Sequence, residues 1–182
     1  MHVSLDGFAS GPNGEMDWIK VDDSMFDFVG TMTDKADTAL YGRVTYEMMQ
    51  AYWPTAAEQP GASKHDIEHS AWYKKVRKIV LSTSMNGIGL GNTIVINDGL
   101  VDKITEIKIQ DGKDILIFGS PRASNSLLQA GLVDEFWLFV NPIILGKGIP
   151  VFTGVTEAIN LKLIETKTFA SGVIALHYQK IT

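Results

Sequence analysis

The sequence predicts an α/β fold with a mostly parallel sheet, helices on both of its faces and an antiparallel C-terminal edge. In the first two thirds of the chain, short apolar runs alternate with segments of helical periodicity. In the last third, apolar runs are separated by turn residues, with Ala170-Ser171-Gly172 between the final two. Alternating strands and helices are typical of parallel sheets, whereas strands joined by a tight turn pair antiparallel.

The composition fits one globular domain over residues 1–182. Hydrophobic residues make up 45% and charged residues 20%, which indicates a folded protein rather than a disordered one. A net charge of -5 provides no general attraction to nucleic acid, and the lack of cysteine excludes disulfides and zinc-thiolate sites. No signal peptide or membrane-spanning run is apparent, so we expect a soluble cytoplasmic protein with neither nucleic-acid nor membrane partners.

The N-terminal half alternates strand and helix. Met1 to Leu5 is predicted as a short strand, and the turn-rich segment from Gly7 to Trp18 as a loop. Asp22-Asp23-Ser24 marks a helix start, because apolar residues then recur at helical spacing. Similar patterns predict a strand at 38–41, a helix at 45–52, a surface loop at 54–64, a helix at 66–75, and strands at 78–82 and 93–96.

The C-terminal half starts with one more helix, predicted from about 101 to 108 and closed by the Asp111-Gly112 turn. Ile115 to Phe118 is the most hydrophobic strand and stops at Gly119. A helix from about 123 to 130 follows, with Gly131 as its stop. The remaining predictions are a strand at 136–141 and a hairpin formed by 161–169 and 173–179.

In open α/β sheets, ligands bind beyond the carboxyl ends of the strands, so the strand-to-loop junctions are candidate sites. At Phe118-Gly119-Ser120-Pro121-Arg122, a buried strand ends at a glycine shortly before a helix. Glycine lets a pyrophosphate approach the backbone, the helix N-terminus attracts anions, and Arg122 adds a charged fork. The alternative is a tight turn with a surface arginine.

Two further junctions follow the same logic. Gly42-Arg43-Val44-Thr45 places an arginine and a hydroxyl at a helix start, although Thr45 could equally serve only as a cap. Ser82-Thr83-Ser84 adds three hydroxyls after a buried strand, which alone are more typical of an ordinary turn. Three phosphate-compatible junctions at one sheet edge of an acidic protein together indicate a nucleotide site.

The fourth junction is Leu5-Asp6-Gly7-Phe8 with the loop that runs to Trp18. A glycine-rich loop with aromatic residues can close over a bound ring and exclude water. The alternative is a surface loop whose Trp18 packs on the core.

These motifs, taken in order, resemble the dihydrofolate reductase superfamily, and within it the group that contains the riboflavin-pathway reductase domain. The similar segments are Ser4-Leu5-Asp6-Gly7-Phe8 with Gly11-Pro12-Asn13-Gly14 and Asp17-Trp18, Leu40 to Glu47, Val80-Leu81-Ser82, Gly131 to Glu135, and Pro142 to Gly148. The resemblance covers nearly the whole chain. It implies a three-layer α/β/α dihydrofolate reductase-like fold, a homodimer and an NADPH cofactor.

The resemblance also implies site residues. The residues that would bind the cofactor are Gly42, Arg43, Thr45, Leu81, Ser82, Thr83, Phe118, Gly119, Ser120 and Arg122, with Arg43 and the Ser82-Thr83 pair near the 2′-phosphate. Substrate contacts would come from Ser4, Phe8 and Trp18, and catalytic carboxylates from Asp6 and Asp27. The implied substrate is a phosphoribosylamino-pyrimidine that is reduced at its sugar carbon. Dihydrofolate reduction, nucleotide binding without catalysis, and a structural or interaction role are the alternatives.

Two features depart from the family pattern, and one histidine pair has the spacing of metal ligands. The family usually has a Gly-Gly pair where this chain has Gly119-Ser120, and Asp27 is about one residue out of register with the acid of dihydrofolate reductases. His65 and His69 have metal-like i, i+4 spacing. Without a third ligand we interpret that pair as part of a solvated helix face, and we predict no metal site.

Overall fold

The computed structural model describes residues 1–85 and 91–181. The chain forms two compact units, Met1–Asp22 with Pro121–Thr182 and Asp23–Ser120, which are described separately below. We call them the first and second unit. In chain order the elements are β1 (His2–Ser4), β2 (Phe8–Ser10), α1 (Asp23–Thr33), β3 (Ala36–Gly42), α2 (Arg43–Ala56), α3 (Lys64–Lys75), β4 (Arg77–Leu81), β5 (Thr93–Ile96), α4 (Leu100–Lys108), β6 (Asp114–Ile117), α5 (Pro121–Gln129), β7 (Glu135–Asn141), β8 (Ile149–Pro150), β9 (Leu161–Thr168) and β10 (Ile174–Lys180).

The second unit is built on a parallel sheet with the strand order β5-β4-β3-β6. Strand β3 is central, and its segment Ala39–Tyr41 is at most 1% exposed. Helices α2 and α3 lie between β3 and β4 in the chain, and α4 lies between β5 and β6, as crossover connections of parallel strands usually require. Tyr41, Tyr46, Tyr73 and Val80 belong to a buried cluster of the sheet and helices α2 and α3.

The first unit contains a four-stranded sheet with the order β1-β7-β10-β9. Strand β1 pairs with β7 in parallel, and β10 pairs antiparallel with both β7 and β9. The predicted C-terminal hairpin is therefore confirmed. A two-stranded antiparallel pair, β2 with β8, completes the strands of this unit.

The predicted α/β class, with a parallel sheet and antiparallel C-terminal strands, is confirmed. Two local predictions were wrong. The segment Gly7 to Trp18 is not all loop, since β2 lies in it, and a three-residue strand is too short to show periodicity. Helix α2 runs through Pro54 to Ala56, so the loop expected from residue 54 begins later. The single domain over 1–182 stays a prediction.

Glycine 148 is needed for the contact between the Pro142 to Gly148 loop and β2. A side-chain carbon at Gly148 would overlap the carbonyl oxygen of Ser10 and crowd the Phe8 side chain.

In the ranges 1–85 and 91–181, no helix has the length and apolar character that crossing a membrane requires.

Candidate functional site

The carboxyl ends of three parallel strands lie side by side in the second unit. Gly42, the last residue of β3, is in register with Leu81 of β4, and Leu40 is in register with Ile117 of β6. Because the strands are parallel, Gly42, Ser82 and Gly119 follow at the same edge of the sheet. The convergence of these three junctions is what the sequence predicts.

The Gly119-Ser120 turn has an unusual backbone. Both residues have positive φ, +54° at Gly119 and +52° at Ser120. Among the described residues, a side-chain carbon at Gly119 would have no heavy atom within 4 Å apart from its chain neighbours, so this backbone faces space that they do not fill. Glycine adopts this conformation at little cost, whereas serine does so only where other contacts hold it.

The Ser120 side chain provides such contacts. Its hydroxyl accepts a hydrogen bond from the Gly42 amide at 3.0 Å and donates one to the Phe118 carbonyl at 3.1 Å. Ser120 is 6% exposed, so the hydroxyl is held between the ends of β3 and β6. The serine that replaces the family's second glycine therefore joins two strands.

The start of helix α2 presents backbone amides at the same edge. Its N-cap residue is Gly42, and among residues 1–85 and 91–181 no side chain caps the helix. Thr45 is therefore not the cap that the alternative interpretation assigned to it. The first amides of the helix point out of its positive end, which favours an anion such as a phosphate.

Arg43, on the first turn of α2, forms an ion pair with Glu47. Its Nη1 atom lies 2.9 and 3.1 Å from the two carboxylate oxygens. Both side chains are about half exposed, 45% and 53% respectively. An ion pair this exposed is weak, so a phosphate can replace Glu47 as the partner of Arg43.

The Ser82 hydroxyl stabilises its own turn. It accepts hydrogen bonds from the amides of Ser84 and Met85 at 3.3 and 3.1 Å. The Asn97 side chain donates to the carbonyls of Ser82 and Met85. These contacts match the turn interpretation, and Thr83 lies exposed beside them.

Asp6 fixes a loop in the first unit. Its carboxylate accepts hydrogen bonds from the Ser4 hydroxyl at 2.7 Å and from the amides of Leu145 and Gly146 at 3.1 and 2.7 Å. The pKa of Asp6 is lowered, first by the Ser4 hydrogen bond and then by those from the Gly146 and Leu145 amides. A carboxylate held as an anion suits loop anchoring and does not favour proton donation.

The other first-unit residues predicted in the site have mixed placements. Ser4 is 1% exposed, and its hydroxyl also accepts from the Phe8 amide at 2.9 Å, so its side chain is committed to the fold. The Trp18 indole donates to the Glu15 carbonyl at 3.0 Å and is partly exposed. Arg122 is exposed on α5.

Asp27 lies on the surface of α1 in the second unit. Its carboxylate is 2.7 Å from the Lys64 ammonium, and the two side chains are 61% and 69% exposed. A water-exposed carboxylate paired with lysine is a poor proton donor to a bound heterocycle. This placement does not favour Asp27 as the catalytic acid.

The interpretation of His65 and His69 as a solvated face is wrong. His69 is 8% exposed. The centre of its ring lies 4.1 Å from the ring centre of Trp53, 5.1 Å from that of Trp72 and 5.9 Å from that of Phe118. The His65 ring stacks on Phe26 at 4.0 Å. Burial lowers the pKa of His69 to about 4, so the ring is neutral at pH 7.

These rings form an aromatic cluster that sequence reasoning missed. The available signal was the spacing of His65, His69 and Trp72, which lie on one helical face. Within the part of the chain that the structure describes, no three His, Cys, Asp or Glu side chains are grouped as a metal site would need.

Comparison with known proteins identifies the family. Residues 1–175 match the model of the RibD C-terminal domain. This chain belongs to the RibD C-terminal domain family. Membership of this family supports an oxidoreductase in general terms.

A relative of this RibD C-terminal domain chain is the uncharacterized protein YyaP of Bacillus subtilis strain 168. It is 38% identical over 180 residues, covering 97% of this chain and 90% of YyaP. Its description gives no activity that could be carried over to this chain.

Two solved structures show the same fold. A Thermotoga maritima diaminohydroxyphosphoribosylaminopyrimidine deaminase/5-amino-6-(5-phosphoribosylamino)uracil reductase matches 99% of this chain and 55% of its own, with 16% identity and a TM-score of 0.66. Enterococcus faecalis dihydrofolate reductase, solved in complex with NADP(H), matches 100% of this chain and 94% of its own, with 14% identity and a TM-score of 0.63. The dihydrofolate reductase-like fold is therefore confirmed.

Proposed function

We propose that this protein is an NADPH-dependent reductase of the 5-amino-6-(5-phosphoribosylamino)uracil reductase type. The observation that carries the proposal is the carboxyl edge of the second unit's sheet. There, the uncapped start of α2, Arg43, and the open backbone at Gly119 lie at neighbouring strand ends. The family and the fold shared with the Thermotoga deaminase/reductase support the reductase type.

The residues at this edge fit a dinucleotide. The α2 amides and the Arg43 guanidinium would hold phosphate oxygens, and Gly119 leaves room for a pyrophosphate against the backbone. Arg43 would take the 2′-phosphate, with Thr83 beside it and Glu47 released. Because the Ser120 hydroxyl occupies the Gly42 amide, that amide would not contact the cofactor. NADPH, when bound, supplies the hydride, so these residues act by binding and orientation.

The substrate contacts proposed for Phe8 and Trp18, and the cofactor contact proposed for Arg122, stay predictions. Asp6 and Asp27 are less suited to proton donation than the sequence suggests, because Asp6 anchors a loop and Asp27 pairs with Lys64. We therefore assign Asp6 to holding the Pro142 to Gly148 loop.

The first test is titration of the protein with NADPH and with NADH, in which quenching of tryptophan fluorescence reports binding. A substrate panel then follows the loss of nicotinamide absorbance with a phosphoribosylamino-pyrimidine and with dihydrofolate. Oxidation of NADPH with the pyrimidine supports the proposal. Binding of NADPH without turnover on either compound would identify a nucleotide-binding protein, and no binding would refute the cofactor.

Dihydrofolate turnover needs its own control. If dihydrofolate is the substrate and Asp27 is its acid, Asp27→Asn lowers turnover at least about tenfold. Unchanged turnover removes Asp27 from the mechanism. The placement of Asp27 beside Lys64 leads us to expect no effect.

The proposal includes a cytoplasmic homodimer. Strand β9 lies at the edge of its sheet, with Leu163 50% and Ile164 46% exposed, so an apolar surface is available for a second copy. Light scattering tests the dimer, and a monomer at all concentrations would refute it.

A further inference from the structure

A pocket of about 380 Å³ lies at the amino-terminal edge of the second unit's parallel sheet. Lys78 of β4 and Thr93 of β5 line it and are in register near the starts of their strands. Gly42 and Leu81 lie at the other ends of strands β3 and β4. The pocket is therefore distinct from the proposed cofactor edge, and its volume is within the usual range for small-molecule sites.

A buried cation is part of the pocket wall. Lys78 is 3% exposed, and its ammonium donates to the Val76 carbonyl at 3.2 Å and the Asn92 side-chain carbonyl at 3.3 Å. The ammonium also lies 4.4 Å from the centre of the Tyr73 ring. In the described ranges no carboxylate lies within ion-pair distance of Lys78, so all its partners are neutral.

Neutral partners only partly compensate a buried charge. Burial lowers the pKa of Lys78, which shows that the fold disfavours its charged form. An anion in the adjoining pocket would supply the buried ammonium with a countercharge. The second lysine of the lining, Lys74, is more exposed and already pairs with Glu58 at 3.3 Å.

The lining also indicates which kind of anion fits. The Asn92 amide donates to the Val76 carbonyl at 2.6 Å, next to the carboxyl end of α3, where the helix dipole is negative. This negative end opposes any anion, but it opposes a dianion about twice as strongly as a monoanion, and a phosphate would usually need several donors. The rings of Tyr46 and Tyr73 line the pocket and suit an apolar body.

We infer that this pocket binds a small organic monocarboxylate, whose charge pairs with Lys78 and whose apolar part contacts the tyrosine rings. Tyr46 shares a hydrogen-bond contact with Thr93 at 3.4 Å, and the Tyr73 hydroxyl donates to Gln50 at 3.1 Å. These contacts hold both rings in place. The inference does not depend on the reductase proposal, because the two sites share no residue.

The test titrates the full chain with benzoate as the probe. Changes in the amide chemical shifts in NMR spectra report binding. We expect saturable shifts at Asn92 and Thr93. Benzyl alcohol, which is neutral and similar in size, and inorganic phosphate should each bind at least about tenfold more weakly, since each lacks the matched single charge or the apolar body. These comparisons need no variant.

Two variants complete the test. Lys78→Met keeps most of the side-chain volume and should weaken benzoate binding at least about tenfold, whereas Lys74→Met should change it less than about threefold. Both should keep the wild-type affinity for NADPH, which separates this site from the cofactor edge. The inference is wrong if benzoate causes no shifts at these residues, if benzyl alcohol or phosphate binds as well, or if a folded Lys78→Met variant binds benzoate normally.

Discussion

The Ser120 hydroxyl accepts a hydrogen bond from the Gly42 amide at 3.0 Å, although 78 residues separate the two in sequence. The same hydroxyl donates to the Phe118 carbonyl. These bonds hold the end of β3 against the turn after β6. They also explain how a non-glycine residue is kept at a φ of +52°.

Replacing Ser120 separates the hydrogen bond from the backbone strain. Ser120→Ala leaves the Gly42 amide without its acceptor and should lower the free energy of unfolding by about 1 to 3 kcal/mol. Ser120→Gly loses the same hydroxyl but relieves the positive φ, so it should cost about 1 kcal/mol less than alanine. Urea denaturation measures both. Equal stability of the wild type and the alanine variant would show that the hydrogen bond contributes nothing.

Arg43 should distinguish NADPH from NADH. Arg43→Ala should weaken NADPH binding about tenfold or more and NADH binding less than about threefold, because only NADPH carries the 2′-phosphate. Arg77→Ala, at the amino-terminal start of β4, is the matched control and should change neither. Fluorescence titration measures all three proteins. Equal weakening of both cofactors would disprove the proposed 2′-phosphate contact.

Glu47 competes with the cofactor for Arg43. Glu47→Gln removes the ion pair that Arg43 forms without ligand, so NADPH should bind about two- to threefold more tightly, in line with the small energy of an exposed pair. Glu68→Gln on α3 serves as the control for a lost surface carboxylate. Weaker NADPH binding by Glu47→Gln would instead show that Glu47 helps to position Arg43.

The aromatic cluster should make stability sensitive to mild acid. Burial lowers the pKa of His69 to about 4 in the folded protein, against about 6.5 for a histidine in an unfolded chain. The unfolded chain therefore takes up a proton first, so this contribution is complete above about pH 6.5 and falls as the pH drops toward 4. Between pH 7 and 5 the expected loss is about 2 kcal/mol of unfolding free energy.

His69→Phe keeps an aromatic ring and cannot be protonated, so it should reduce this loss. His2, whose pKa is also lowered to about 4 by burial, should contribute similarly and gives a second variant, His2→Phe. Chemical denaturation at several pH values measures the slopes. The same pH slope in His69→Phe and the wild type would contradict the burial of a neutral His69.

The contribution of Asp6 to stability should be lost at a lower pH than that of His69, as the carboxylate becomes protonated. Its pKa in the folded protein lies below that of an aspartate in an unfolded chain, so its contribution to stability is complete above the unfolded pKa and is lost as the pH falls through the folded one. Asp6→Asn should lower stability at neutral pH and flatten the acid limb of the curve. Asp17→Asn, an exposed carboxylate of the same loop segment, is the control. An unchanged acid limb in Asp6→Asn would show that the loop contacts of Asp6 are not energetically significant.

Much of the fold follows from the sequence because its signals are local. The apolar run Ile115 to Phe118 and the turn Ala170-Ser171-Gly172 predict a buried strand and a hairpin without any distant contact. The parallel order also predicts that the Gly42, Ser82 and Gly119 junctions meet at one edge. Pro54 misled the prediction, because proline near the end of a helix removes only one hydrogen bond and α2 continues past it.

Tertiary structure decided what the polar side chains do. Spacing alone assigned His69 to solvent, and only the contacts of Trp53 and Phe118 with its ring bury it. The sequence assigned Asp6, Asp27 and Ser120 to the candidate site. In the structure each has a partner far along the chain: Asp6 contacts Gly146, Asp27 contacts Lys64, and Ser120 contacts Gly42. Periodicity determines which face of an element is apolar. A side chain's protonation and hydrogen bonding depend on partners that only folding brings near.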